Sequence, residues 1–261
     1  MTDSDLEQKA LDLLDKLKPF APSAAPGQNF LPPETRLDVE GPDSTVPVWR
    51  AGDGFETTLF VHGWDDSHRV WRAFALNFLQ NGRPLLLMDL PGHGAARNVE
   101  NCSWPYAGQA VQAVCDALGP VDTVIAHSFG CLAVASAIKN GARVNNLVLI
   151  APPVSGPGRN RAARWREEGS QDAEISRAYE IFEERTGLPL DGPDLVEVLD
   201  KFAGRILLVG SQADESCPLD SIRRLAEQLD NALLVEDNEL GHRDLVLAPA
   251  IYADVLQFLQ S

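Results

Sequence analysis

Ser128 lies in the run VIAHSFGCLAVA, two residues after Ala126 and two before Gly130. An apolar segment precedes it, and a small-residue segment of helical character follows. A serine hydroxyl is a weak nucleophile until a neighbouring imidazole removes its proton. The imidazole in turn needs a carboxylate that fixes its tautomer and stabilises its cation. His242 is the only histidine C-terminal to Ser128, and Asp214 and Glu215 stand between the two. A nucleophile, an acid and a base in that order can carry acyl transfer. The plainer reading of Ser128 is a helix N-cap, whose hydroxyl would take an orphan backbone N–H. The small residues on either side speak for a sharp turn, where strand and helix backbones approach too closely for larger side chains.

The elements between these residues must bring them together. RLDVE (36–40) and TVPVWRAG (45–52) read as a leading hairpin. Continuously apolar strands follow in TTLFV (57–61), PLLLMDL (84–90), DTVIAHS (122–128), NNLVLIAPP (145–153), RILLVGS (205–211) and ALLVED (232–237). Helical patterns alternate with them over 69–82, 106–119, 130–141, 219–229 and 244–260. Apolar strands alternating with helices predict an α/β fold: a mostly parallel, eight-stranded-type sheet with helices on both faces. The crossover rule fixes the handedness of such a sheet but not its strand order. Ligands bind outside the carboxyl ends of its strands. Those ends carry His62-Gly63-Trp64, the loop 91–94, Ser128, Asp214 with Glu215, and His242.

Two stretches break the alternation. DLEQKALDLLDKLKPF places Leu6, Ala10, Leu13, Leu14 and Leu17 on one helical face, ahead of a Pro-rich linker. This helix is expected to dock on its own domain, with a partner-binding or homodimerising arm as the alternative. The charged, helical stretch 154–201 reads as a small cap inserted over one edge of the sheet. The domain plan is then helix and linker (1–33), core (34–153), cap (154–201) and core again (202–261).

A length of 261 residues suits this plan, and 44% hydrophobic with 23% charged residues is ordinary for a globular chain. The net charge of −16 disfavours nucleic acid and anionic membrane as partners. No stretch approaches the roughly 18 apolar residues that span a bilayer. The acidic first ten residues hold no apolar leader, so a cytoplasmic location is expected. None of the four cysteines forms a metal-type spacing, and Cys115 and Cys131 read as core. No metal or cofactor is implied.

Taken jointly, the motifs resemble the α/β-hydrolase fold family, in a serine esterase-like form, from about Thr57 to the C-terminus. HGWDDSHRVWRAFALNFLQNGRPLLLMDLPGHG is similar to the family's oxyanion strand, first helix and following strand loop. AHSFG is similar to its nucleophile elbow, GSQADESCP to its acid loop and LGHRD to its histidine loop. The resemblance implies Ser128 as nucleophile, Asp214 as acid and His242 as base. The four-residue gap to Pro218 favours Asp214 over Glu215. It further implies an oxyanion hole made by the backbone N–H groups of Trp64 and Phe129, each on the order of 3 kcal/mol in rate. The family usually has glycine where this chain has Ala126; a methyl is tolerated there if φ is negative.

The remaining candidates have plainer readings. His62 and His93 read as loop residues, His127 as buried and His68 as a solvated helix start. Asp65 and Asp66 read as caps for the helix near Ser67, or else as charges that repel anions from the site mouth. His62, Trp104, Trp165, Tyr179 and Phe182 are candidates for lining a substrate pocket, although most aromatic residues are core residues. The expected reaction is hydrolysis of a small carboxylic ester through an acyl-enzyme. Acyl transfer, thioester cleavage and perhydrolysis use the same triad, and a ligand sensor that keeps the triad but turns over slowly is a reading of another class. A serine rather than an aspartate at the elbow speaks against dehalogenation and epoxide opening, and the short polar cap against a large-substrate lipase.

Overall fold

The computed structural model describes residues 2–17, 31, 34–42, 44–54, 56–97, 103–155 and 160–261. Most of the Pro-rich stretch expected as a linker, and Cys102, fall outside these residues. Within them, the strands β1 (Thr35–Glu40), β2 (Thr45–Ala51), β3 (Thr57–Val61), β4 (Leu85–Met88), β5 (Val121–His127), β6 (Asn146–Ile150), β7 (Arg205–Ser211) and β8 (Ala232–Asp237) form one sheet. Its order is β1-β2-β4-β3-β5-β6-β7-β8. β1 and β2 make the expected hairpin, β2 lies antiparallel on β4, and every later pairing is parallel.

The chain starts its parallel part at β3, steps outward to β4, then returns to β5 on the other side of β3. This reversal is the switch point beside which open sheets bind ligands. It sets the end of β3 against the end of β5, with Val61 paired to Ala126. The strands hold this register because side chains alternate between two buried faces. Val124 and Ala126 join one apolar layer and Ile125 the other; Leu147 and Leu149 alternate with Val148 and Ile150 in the same way.

The helices are α1 (Asp3–Asp15), α2 (Arg72–Gln80), α3 (Trp104–Leu118), α4 (Phe129–Lys139), α5 (Arg161–Glu167), α6 (Asp172–Thr186), α7 (Leu195–Asp200), α8 (Leu219–Glu227) and α9 (Pro249–Gln260). Residues of α3, α4, α7 and α8 fill one face of the sheet, and those of α2 and α9 the other. The inserted stretch behaves as two parts. α7 buries Leu195, Val198 and Leu199 in the main core, whereas α5 and α6 share a separate small apolar cluster with α1.

Two local expectations are corrected. The helix expected over 244–260 is broken. A short 3-10 turn, Asp244–Val246, precedes α9, which starts at Pro249 because proline suits a first helical turn but not a helix interior. His68 is not solvated: it is 3% exposed, stacks on Trp49 at 3.6 Å and meets the Asp89 carboxylate through Nδ1 at 2.9 Å. Asp89 also accepts the His68 and Ala95 backbone N–H groups, and this draws the turn inward.

Candidate active site

β5 delivers Ser128 to a turn with φ 51° and ψ −121°, a conformation few non-glycine residues adopt. The turn is held from both sides: the Ser128 N–H donates to Ile150 O at 2.9 Å, and Ser128 O accepts the Cys131 N–H at 2.9 Å. Gly130 has a steric reason. A Cβ there would stand 2.6 Å from His62 O and 2.7 Å from Val61 O, both backbone atoms. Ala126 lies outside the positive-φ residues, so its methyl costs no strain.

Ser128 occupies the N-cap position of α4, yet its side chain makes no hydrogen bond to that helix. Its Oγ lies instead 2.9 Å from His242 Nε2. His242 Nδ1 lies 2.7 Å from Asp214 Oδ2. With Nδ1–H donating to the carboxylate, Nε2 is left to accept the serine proton. Asp214 is buried, and its Oδ1 accepts the N–H groups of Ser216 and Cys217 at 2.8 and 2.9 Å. Glu215 is exposed, so Asp214 is the carboxylate that meets the imidazole. The structure therefore brings Ser128, Asp214 and His242, from three distant parts of the chain, into one contact series.

The histidine loop is braced twice, and neither brace was foreseen. His127 is buried, and its Nε2 donates to the His242 carbonyl at 3.0 Å with the two rings 4.7 Å apart. Burial, then the proximity of the His242 ring, pushes its pKa down to about 3, so it is a neutral donor. Its Nδ1 has no hydrogen-bond partner among the described residues and faces Gly63, where a Cβ would come within 2.9 Å. The second brace corrects the reading of Asp66. It accepts the Ser67 N–H, but its charge is spent on Arg243, with Oδ2 3.0 Å from Arg243 Nε, and this ties the loop after β3 to the loop that carries His242. Asp65 adopts φ 57° and donates its N–H to His93 Nε2, so it too is a loop brace rather than a helix cap.

Trp64 and Phe129 stand with their rings 4.9 Å apart beside Ser128. Neither N–H donates to any group among the described residues. Gly63, just before Trp64, passes so close that a Cβ would be 3.1 Å from Ser128 Cβ. His62 fixes this approach from inside. Its Nδ1 meets Gly63 O at 2.7 Å, and its Nε2 accepts the Leu90 N–H at 3.0 Å. Burial, then neighbouring His93, pushes its pKa down to about 3.

A cavity of about 730 Å³ opens over Ser128 and His242. Of the five expected lining residues, it receives Trp104 and Phe182, together with Trp64, Phe129, Leu132, Leu11 and Leu14 of α1, and Leu17 just past its end. His62, Trp165 and Tyr179 are not on its wall. His62 is locked in the loop, and Trp165 is 3% exposed inside the α1–α5–α6 cluster. The Tyr179 hydroxyl donates to Asp191, which does line the cavity. Periodicity marks which helical residues are apolar, not which way the helix turns.

One group of described residues has metal-ligand types within reach of one another: Asp214, Cys217 and His242. It contains the carboxylate–imidazole pair already joined at 2.7 Å, and burial pushes the Cys217 thiol up, against thiolate formation. Cys115, Cys131 and Cys217 are free, and burial raises the Cys115 thiol to about 12. Among the described residues, no helix is long and apolar enough to cross a membrane.

The model of the alpha/beta hydrolase family matches residues 58–257, and the chain belongs to that family. Solved structures share the fold. BpoC from Mycobacterium tuberculosis H37Rv, provisionally named a non-heme bromoperoxidase, is 20% identical with a TM-score of 0.65, over 82% of this chain and 95% of its own. The esterase RhEst1 from Rhodococcus sp. ECU1013 is 17% identical with a TM-score of 0.66, over 87% and 98%. The Pyrococcus furiosus esterase Pf2001 is 14% identical with a TM-score of 0.69, over 92% and 98%. At these identities the likeness is one of fold. A search of curated proteins finds no match.

Proposed function

We propose that the protein is a serine hydrolase of small carboxylic esters. The observation that carries this reading is the contact series Asp214–His242–Ser128, at 2.7 and 2.9 Å, opening onto a cavity whose wall mixes apolar side chains with charged ones such as Arg161, Arg164 and Arg185. Ser128 Oγ attacks the ester carbonyl as its proton passes to His242 Nε2. The imidazolium, held by Asp214, then protonates the departing alkoxide, leaving an acyl-enzyme and the free alcohol. Water, deprotonated by the same Nε2, cleaves the acyl-enzyme to the acid and restores Ser128. The unengaged N–H groups of Trp64 and Phe129 serve the tetrahedral oxyanion. His127 and Arg243 position the base without touching substrate.

The test is turnover of p-nitrophenyl esters of graded acyl length by the wild type, Ser128→Ala and His242→Ala. Sustained turnover in the wild type with at least a thousandfold loss in both variants supports the reading. Wild-type rates retained in Ser128→Ala would overturn it. One burst of nitrophenol with no further release would point to the ligand-sensor class instead. Ester exchange with added alcohol would make acyl transfer the better description of the same site.

A further inference from the structure

We infer that helix α1 is the outer wall of the substrate cavity, and that Leu11, Leu14 and Leu17 select for the apolar portion of the substrate. The inference rests on the reading of Ser128 as the nucleophile of an ester hydrolase. α1 precedes residue 58, where the family match begins, so this wall is added to the segment that defines the family.

The helix is fixed at one end and along one side. Thr2 and Asp5 form a capping box at its first turn. Ala10 and Leu13 are buried in a cluster with Ile175, Ala178 and Phe182 of α6. Lys9 meets Glu174 at 2.6 Å, and Glu7 meets Arg177 at 2.6 Å. Leu11, Leu14 and Leu17 occupy the neighbouring stripe, half-buried, on the wall of the cavity that holds Ser128 and His242. These three half-buried leucines offer an apolar contact surface on the wall of the space above the nucleophile, beside the charged Asp15, Arg161, Arg164 and Arg185 of the same wall. Phe182 of α6, whose helix α1 docks on, continues that surface. An alkyl chain lying there would be buried methylene by methylene, and each buried methylene is worth a factor of about four in affinity. The chain can belong to the acyl or the alcohol side of the ester; the chemistry recognised is the same.

The experiment uses the full chain and two ester series, p-nitrophenyl esters from acetate to decanoate and alkyl acetates from ethyl to octyl. The readout is the ratio of kcat/KM for the longest to the shortest member in each. Leu14→Trp, which fills the space, should lower that ratio at least tenfold in one series, and the responsive series says which side of the ester meets α1. Glu7→Arg, which sets like charges against Arg177, should lower it in the same series, and Glu7→Arg with Arg177→Glu should restore it. A ratio unchanged in both series for both variants, while the wild type turns over, overturns the inference and leaves the hydrolase reading intact. A wild type that cleaves no ester overturns the hydrolase reading. Labelling of Ser128 by ethyl and octyl fluorophosphonates then decides the role of α1 alone: the octyl-to-ethyl rate ratio should fall in Leu14→Trp, and an equal ratio or no labelling ends it.

Discussion

The rim of the sheet and the outer wall of the cavity are built on different principles. At the rim, Ser128, Asp214 and His242 are each tied to a neighbour through a backbone atom. Ser128 is tied to Ile150, Asp214 to the N–H groups of Ser216 and Cys217, and His242 to His127. Buried groups that lose such partners keep their desolvation cost, so the arrangement resists small displacements. The outer wall has its own small apolar cluster, separate from the two layers that sandwich the sheet, and each of its ion pairs has at least one partly exposed member. Exposed pairs contribute little. The difference teaches that the rim and the wall are held by separate sets of contacts, so a change in the wall should leave the rim undisturbed.

The largest effect that would break this separation is chemical. Ser128→Ala or His242→Ala should lower kcat by at least about a thousandfold, because members of such a unit fail together. Asp214→Asn should cost about 10²–10⁴. Its amide oxygen can still accept from Ser216 and Cys217, but its NH₂ would face His242 Nδ1 and impose the wrong tautomer. Thermal melting should change little in the serine variant, and a comparable collapse of fold would mean that these residues hold structure rather than chemistry.

Next comes the joint between β3 and α4. Gly130→Ala places a methyl 2.6 Å from His62 O and 2.7 Å from Val61 O. Neither atom can swing away as a side-chain tip would, so the strand end must shift. The expected cost is about 1–3 kcal/mol by urea unfolding, with a fall in kcat larger than the fall in stability explains. Full activity in a destabilised Gly130→Ala would mean that Trp64 and Ser128 need no fixed spacing.

The same contrast decides what was legible in the chain beforehand. β3 to β7 could be read because their apolar runs have a single physical outcome, burial on two faces. The meeting of Ser128 with His242 could be read because Ser128 has only one downstream histidine. Strand order could not, since nothing local records that β4 sits outside β3. His68 was misread because the partner that buries it, Asp89, is twenty-one positions away. His127 and Arg243 escaped notice because their work is to hold a backbone carbonyl and a carboxylate that are near them only in the fold. The cavity wall was least legible: Trp104, Trp165, Tyr179 and Phe182 look alike in sequence, and the packing of α3, α5 and α6 determines which of them lines the cavity.

Acid should separate the two regions by a smaller amount. His62 and His127, at the rim, are neutral in the fold with pKa about 3, chiefly through burial. The unfolded chain takes up those protons from about 6.5 downward. Their contribution to stability is therefore complete above about pH 6.5 and is lost as pH falls toward 3. At pH 5.5 the loss is on the order of 1 kcal/mol for each histidine. The wall carboxylates Glu7 and Glu174 are held below the usual carboxylate range by Arg177 and Lys9, so their contribution is present above that range and disappears only at lower pH. Urea unfolding at pH 7.5 and 5.5 should show the loss, and His127→Gln should remove about half of it. A flat profile between these pH values would mean that the rim histidines are already charged in the fold.

The smallest effect is the sharpest probe of the wall. Glu7→Gln removes one carboxylate charge from Arg177, which keeps Glu180 and Glu184, each at 3.1 Å. Glu7 is 46% exposed in its side chain. The melting temperature should therefore stay within about 2 °C of the wild type. Global unfolding, however, reports chiefly the sheet, to whose two apolar layers α1 supplies no residue among those described. Hydrogen exchange reports each element by its own opening. The amides of α1 should exchange several-fold faster in Glu7→Gln, while those of β5 and α4 keep wild-type protection. If α1 and β5 lose protection together, the wall and the rim open as one unit, and the separation drawn from their different bonding is wrong.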